Sequence, residues 1–460
     1  MTLKPPISVR FMDWFQASQT YQQWLRSPAH RIVDNILAFC QRNWFSLQIL
    51  LIMIYRLTLD LLYSCAISPL YGYSGFSMNF YPLPYACTLL AVLIFTPFIT
   101  QLQGTGLPSA NIVTCLNYIY FIPLTSYCGC YWQGFSFFLT AMVYWAILLV
   151  LQFRIPVVVL RSINVKGSRY FYTLLTLLCI LLVMYISGRY TGFRFTLNII
   201  DVYGIRKEAA SYNLPVLISY ALSMAGNILA VLLVYWLLRR KYLICSILVF
   251  IYLFLFSIAG HKSLFFFLLI VLTCYFLFRP WMRRWLPAFA SLATILGVLE
   301  YRLTHSYLLA GVIFRRCMYV PVKLSEDYMT YFRDNPVTLF RNGILRHFFS
   351  NDVYSGNVAS IIGAVNGDPN VFANNGLLGD LSSNLPVLLG LMLMPLILII
   401  CFRMLDATAK NLPEKLVISS CIYFAMSFSN SSWSTTLLSH GFLITCLLLY
   451  IFPKEEVLSP

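Results

Sequence analysis

The stretch 242–278 reads YLICSILVFIYLFLFSIAGHKSLFFFLLIVLTCYFLF: two unbroken apolar runs joined by Gly260, His261 and Lys262. A membrane-crossing helix needs about 20 apolar residues, and each run approaches that length. Neither run alternates apolar and polar residues, which excludes the strands of an outer-membrane barrel. The rest of the chain has the same character. Its 460 residues are 60% hydrophobic and 10% charged, against roughly 25% charged in an average soluble protein. So few charges cannot cover a water-soluble surface, which excludes a soluble enzyme. Ordinary Gly (22) and Pro (21) contents and 17% aromatics exclude a disordered or collagen-like chain. The sequence predicts an all-α, polytopic integral membrane protein.

Reading outward from 242–278 gives twelve predicted spans: 44–67, 84–101, 110–127, 131–153, 170–187, 214–238, 242–259, 263–278, 286–301, 385–402, 416–429 and 433–452. With the N-terminus in the cytoplasm, nineteen of the 32 Lys+Arg fall on the inner side, clustered as at Arg239-Arg240-Lys241 and Arg279 with Arg283-Arg284. That is the positive-inside bias, and it puts both termini inside. The net charge of +16 is therefore mostly topology rather than a sign of nucleic acid. The chain divides into an interfacial amphipathic segment (1–43), spans one to nine (44–301) with an outer loop at 188–213, a large outer loop (302–384) expected to hold short helices, spans ten to twelve (385–452) and a tail (453–460). The first apolar run follows a long polar lead, so it reads as an anchor rather than a cleaved leader. Most of the thirteen Cys lie in apolar runs and read as small core residues. Cys128-Gly129-Cys130 lacks the partners of a metal site.

The informative charges are the basic residues on the outer side, mostly Arg, the side chain suited to two-pronged contact with phosphate. Arg189 and Arg194 lie in the first outer loop; Arg315, Arg316 and Arg346 lie in the second. His261 and Lys262 stand where Ser263 can cap the next helix, at its positive end, which suits phosphate; a Lys snorkelling to the interface explains Lys262 equally well. The loops also echo each other. Arg194 and Arg346 each precede a Gly by ten positions (Gly204 and Gly356), with Asp-Val-Tyr just before it, so matching loops could hold one ligand from two sides. Ordinary solvated charge is the plainer reading, since the long loop also carries Glu326, Asp327, Asp334, Asp352, Asp368 and Asp380. Tyr319, Tyr328, Tyr354 and Asn375 supply the rings and amide that a sugar-binding groove needs. Arg56 and Asp60, four apart in the first span, read as an ion pair within one helix, with proton coupling as the sharper alternative.

Taken together, Gly260-His261-Lys262-Ser263 before an apolar helix, Arg315-Arg316-Cys317-Met318-Tyr319-Val320-Pro321, Tyr328 to Phe332, and Ala373-Asn374-Asn375-Gly376-Leu377-Leu378-Gly379-Asp380 give most of the chain a likeness. It resembles the Wzy-type O-antigen (oligosaccharide repeat unit) polymerases. The resemblance implies a GT-C-like glycosyltransferase architecture in the bacterial inner membrane. It further implies transfer of a glycan from undecaprenyl pyrophosphate onto a lipid-linked repeat unit at the periplasmic face, among membrane lipids and with a chain-length regulator protein as a further partner. Pyrophosphate is a good leaving group, so its charge need only be neutralised, at roughly 1.5–3 kcal/mol per charge-assisted hydrogen bond. That role falls to Arg189, Arg194, His261, Lys262, Arg315, Arg316 and Arg346, with no metal and no other cofactor. The acceptor hydroxyl needs a base, for which His347 or Asp352 is the candidate and His305 the reserve. His440, in the last span, reads as a core or pore histidine. An O-antigen ligase with a lipid A acceptor is the nearest alternative, and a lipid-linked oligosaccharide flippase or other transporter the next. Near absence of charge from the spans favours an enzyme.

Overall fold

A computed structural model describes residues 43–160, 167–197, 202–346, 348, 352–368 and 371–453. The amphipathic segment expected before residue 43 and the candidate base His347 lie outside these residues. Where hydrocarbon replaces water, backbone N–H and C=O groups must be satisfied within the chain, and apolar runs therefore become helices. The elements in order are α1 (Trp44–Ser74), α2 (Pro82–Gln103), α3 (108–130), α4 (Phe135–Arg154), α5 (Ser168–Thr191), α6 (Val202–Ala210), α7 (Val216–Leu238), α8 (Tyr242–Ala259), α9 (Lys262–Leu277) and α10 (Met282–Thr304). They continue as α11 (308–334), α12 (Val358–Val365), α13 (Leu378–Asn384), α14 (Val387–Thr408), α15 (414–430) and α16 (Trp433–Tyr450).

Nine described helices are long and apolar enough to cross a membrane: α1, α2, α4, α5, α7, α8, α10, α14 and α16. The chain is an integral, multi-pass membrane protein. The other three segments expected to span are also helical. The apolar α9 has only 16 residues. α15 is interrupted between Cys421 and Phe424. α3 is sealed inside the bundle, with every residue from Ile122 to Cys130 buried. Such a helix need not be apolar, because it meets protein rather than lipid. Its Asn117, for example, accepts a 2.7 Å bond from the Trp145 indole of α4.

Around α3 stand two groups of helices. α1 packs on α10, α2 and the second half of α3; α5 packs on α7 and α8. α14 and α15 close the bundle, α14 against α4 and α15 against α7 and α9. Leu50, Leu57 and Leu61 on one face of α1 are exposed, as a lipid-facing stripe requires.

The ion pair expected within α1 forms between Arg56 and Asp60, and α3 closes over it. Arg56 also donates to Thr125 Oγ1 and Thr88 Oγ1, both at 3.1 Å, and to the Thr125 carbonyl at 2.8 Å. Asp60 accepts from Ser126 at 2.6 Å and Tyr85 at 2.9 Å. Gly129 leaves the room: a Cβ there would press on the Arg56 guanidinium and Thr88. The long segment between α10 and α14 folds down on this core. Tyr319 of α11 reaches Ser126 and the Leu59 carbonyl, each at 3.1 Å, and α11 then packs on α13.

Candidate functional site

A cavity of about 430 Å³ opens at the end of the bundle that carries the long 305–386 segment. Four separate stretches, with Tyr220 of α7 and Tyr328 of α11, build it: the turn at 338–344, the start of α12, the residues from Asn374 through α13, and the junction of α15 with α16.

Local sequence explains each wall. Gly376 presses against the Phe428 and Ser431 carbonyls, where a Cβ would collide with backbone. This seats the α13 turn on the end of α15. Leu377 follows at φ +45°, a conformation that costs a non-glycine residue about 1–3 kcal/mol and needs its surroundings to hold it. The 338–340 turn runs along the end of α13, with Thr338 N donating to Ser383 O at 2.8 Å and Leu339 N to Asn384 O at 3.0 Å. Asn357 caps α12 by accepting from Ala359 N at 2.9 Å. Ser432 caps α16 by accepting from Thr435 N at 3.3 Å.

The buried carboxyl of Asp380 ties α13 to α16, its Oδ2 accepting from Trp433 N at 2.6 Å. Burial pushes its pKa up to about 7, against the pull of that N–H. Across the cavity His440 Nε2 lies 3.1 Å from Ser431 Oγ. The Trp433 and Phe340 rings meet edge-on, with centroids 6.3 Å apart. The remaining wall is mainly amide and hydroxyl: Asn342, Asn374, Asn384, Ser383, Ser434 and Thr435. Among the described residues, no Lys, Arg or Glu lines it. Such a wall offers many neutral donors and acceptors and two aromatic faces. It suits an uncharged polyhydroxyl ligand rather than a bare ion.

Of the residues singled out in the sequence, Tyr328 and Asn375 line this cavity. Tyr328 donates to Ala373 O at 3.0 Å, and Asn375 donates to Ser325 Oγ at 2.9 Å. Tyr354 packs on Tyr331 and Phe332 and donates to Pro336 O at 2.6 Å. Tyr319 is sealed in the core, out of a ligand's reach.

The basic residues do not converge on the cavity. Arg194 pairs with Glu208 at 2.8 Å, and Arg346 pairs with Asp352 at 3.3 Å. Arg189 is exposed beside Tyr190. His261 is exposed and Lys262 partly so, at the turn into α9. The expected symmetry of the two loops does not extend to their backbones: Gly204 lies inside α6, whereas Gly356 sits in a bend.

Arg315 differs from the others. Its guanidinium lies over the Tyr71 ring at 4.2 Å and 5.5 Å from the Phe76 ring, with Nη2 3.4 Å from Ser74 Oγ. Its Nε is buried without a hydrogen-bond partner. Burial lowers its pKa, partly offset by the neighbouring tyrosines. Its neighbour Arg316 is exposed.

Sequence reading missed Ser431, Trp433 and Ser383 as cavity residues, and it read His440 as a core or pore histidine without a catalytic role. One signal was present: the run Ser429-Asn430-Ser431-Ser432-Trp433-Ser434-Thr435-Thr436 stands between two apolar helices. It reads equally well as a connecting turn.

The class defined by this fold and cavity is an all-α, multi-pass membrane protein with a neutral, polar recess at one end. Comparison with family models, with curated proteins and with solved structures finds no match to this chain.

Proposed function

We propose that this chain is an oligosaccharide repeat-unit polymerase. It would move a glycan from undecaprenyl pyrophosphate onto a lipid-linked repeat unit at the periplasmic face of the bacterial inner membrane. α3, α9 and α15 would complete twelve crossings in a GT-C-like arrangement, both termini cytoplasmic and the cavity outside. The observation that carries this reading is the neutral, amide- and hydroxyl-lined cavity with its Trp433 and Phe340 rings. It fits the sugars, while Arg315, stacked on Tyr71 and Phe76 outside that lining, fits a diphosphate oxygen of a lipid held beside it. The long segment supplies much of the cavity wall, as an enzyme working at the membrane surface requires.

The test is incubation of the protein in lipid vesicles with lipid-linked repeat units. A ladder of product lengths supports the polymerase. A single product on added lipid A would instead support the ligase.

A transporter is the second reading, favoured by a further cavity of about 400 Å³ at the opposite end of α15, lined by Asn111, Arg283, Asp406 and Glu414. There Arg283 is paired with Glu414 at 2.6 Å, and Asp406 with Arg403 at 2.6 Å. Movement of intact lipid-linked units across the vesicle, without bond formation, would support it.

A further inference from the structure

Among the described residues, the cavity wall contains two side chains that can exchange a proton near neutral pH: Asp380 and His440. Their settings differ. Asp380 is 4% exposed and its Oδ2 is committed to Trp433 N. It works as a brace. The half-buried ring of His440 meets the Ser431 hydroxyl, itself half-buried, within the same recess. The backbone behind that ring is fixed, since Asn227 of α7 donates to the His440 carbonyl. Trp433, Ser434 and Thr435 border the same space.

Resting on the glycosyl-transfer reading above, we propose that His440 is the catalytic base of this cavity: its Nε2 takes the proton from the acceptor sugar's hydroxyl, while Ser431 orients the ring and that hydroxyl. With the ring's own proton on Nδ1, Nε2 offers its one lone pair toward Ser431 Oγ; the acceptor hydroxyl takes that place when the sugar binds, and the Ser431 hydroxyl turns to the sugar. In the step, the acceptor oxygen forms a bond to the donor's anomeric carbon. The bond from that carbon to the diphosphate oxygen breaks, and its electron pair leaves with the diphosphate. The hydroxyl proton passes to Nε2, and the imidazolium then releases it to water. No other reactant is needed. The ring of His440 meets neutral Ser431, Asn227 holds its backbone carbonyl, and Asp380 of α13 borders the same cavity. His261, at the turn into α9, lies within charge range of the ring, and Arg206 of α6, which donates to the Gly260 carbonyl, acts on His261.

The experiment compares His440→Gln, Ser431→Ala and Asp380→Asn, each in lipid vesicles with lipid-linked repeat units. Removing a general base costs about 10²–10⁴-fold. His440→Gln should lose rate in that range, with KM and thermal unfolding close to the parent protein. Ser431→Ala should lose about tenfold, less than removal of the base itself. Asp380→Asn should lower thermal stability more than it lowers kcat. Added imidazole should restore part of the rate to His440→Ala. Polymerisation by His440→Gln within threefold of the parent overturns the assignment, and so does a greater kcat loss in Asp380→Asn than in His440→Gln. If the parent protein itself forms no glycosidic bond, the transfer reading fails and this assignment fails with it. If His440→Gln fails to fold, the kcat of Ser431→Ala decides, and an unchanged value sinks the proposal.

Discussion

Two of the places where the chain buries polar groups treat them differently. Beneath α11, Arg56 and Asp60 are closed in by Thr88, Thr125, Ser126 and Tyr85, and Arg56 is fully buried. At the end of the bundle, Asp380, His440 and the surrounding amides and hydroxyls border open space. The first is a closed ionic joint that fastens α1 to α2 and α3. The second is an open recess of amides and hydroxyls with one carboxyl and one imidazole among them. A joint turns its hydrogen bonds inward; a binding site leaves some facing the cavity.

The largest effects should come from breaking the joint. Arg56→Leu leaves a carboxylate without its cation inside the bundle, a defect of roughly 3–5 kcal/mol. The expected result is loss of monodisperse protein in detergent. Arg56→Leu combined with Asp60→Leu should recover much of that loss, as read from thermal unfolding.

Two glycines test the recess. Gly376→Ala forces a Cβ into the Phe428 and Ser431 carbonyls and should abolish transfer by displacing α13 from α15. Gly356→Ala meets nothing within 4 Å and should be silent. Equal activity in the two variants would show that the recess plays no part.

Arg315 and Arg346 sharpen the contrast between a built seat and a surface pair. Arg315→Ala should reduce transfer by about 10- to 150-fold, the equivalent of one charge-assisted bond of roughly 1.5–3 kcal/mol. Arg346, exposed and already paired with Asp352, should cost only a few-fold on substitution.

Stability should also depend on pH. Burial raises Asp380 and Glu326 to about 7, from ordinary values of 3.8 and 4.5. Tyr127, which donates to Glu326 at 2.7 Å, opposes that shift without cancelling it. Between the ordinary and raised values the folded protein holds more protons than the unfolded chain, so stability should fall as pH rises through that window. Glu326→Gln should flatten the fall, measured as unfolding temperature in detergent against pH.

The membrane helices were legible because lipid demands long apolar runs, and the Arg56–Asp60 pair was legible because charge within such a run has few other uses. The recess was not. Its walls come from Tyr220, Tyr328, 338–344, 357–359, 374–384 and 431–440, and no helical or strand period links those stretches. Its side chains are mostly Asn, Ser and Thr, which look the same in sequence whether they cap a helix, fill a turn or line a cavity. Conspicuous arginines drew attention to the loops, yet Arg194 and Arg346 direct their charge to Glu208 and Asp352 of their own loops. Asp380 was visible as an acid; its burial follows from the way Gly376 seats the turn on α15.

The most direct test is to map where the sugars go. A lipid-linked repeat unit carrying a photoreactive group on its non-reducing sugar can be irradiated with the protein in vesicles and the labelled peptides sequenced. Labelling concentrated in 338–344, 374–384 and 431–440, and competed away by unlabelled repeat unit, is the expected result. Labelling confined to the lipid-facing helices, or to the cavity at the opposite end of α15, would contradict the account.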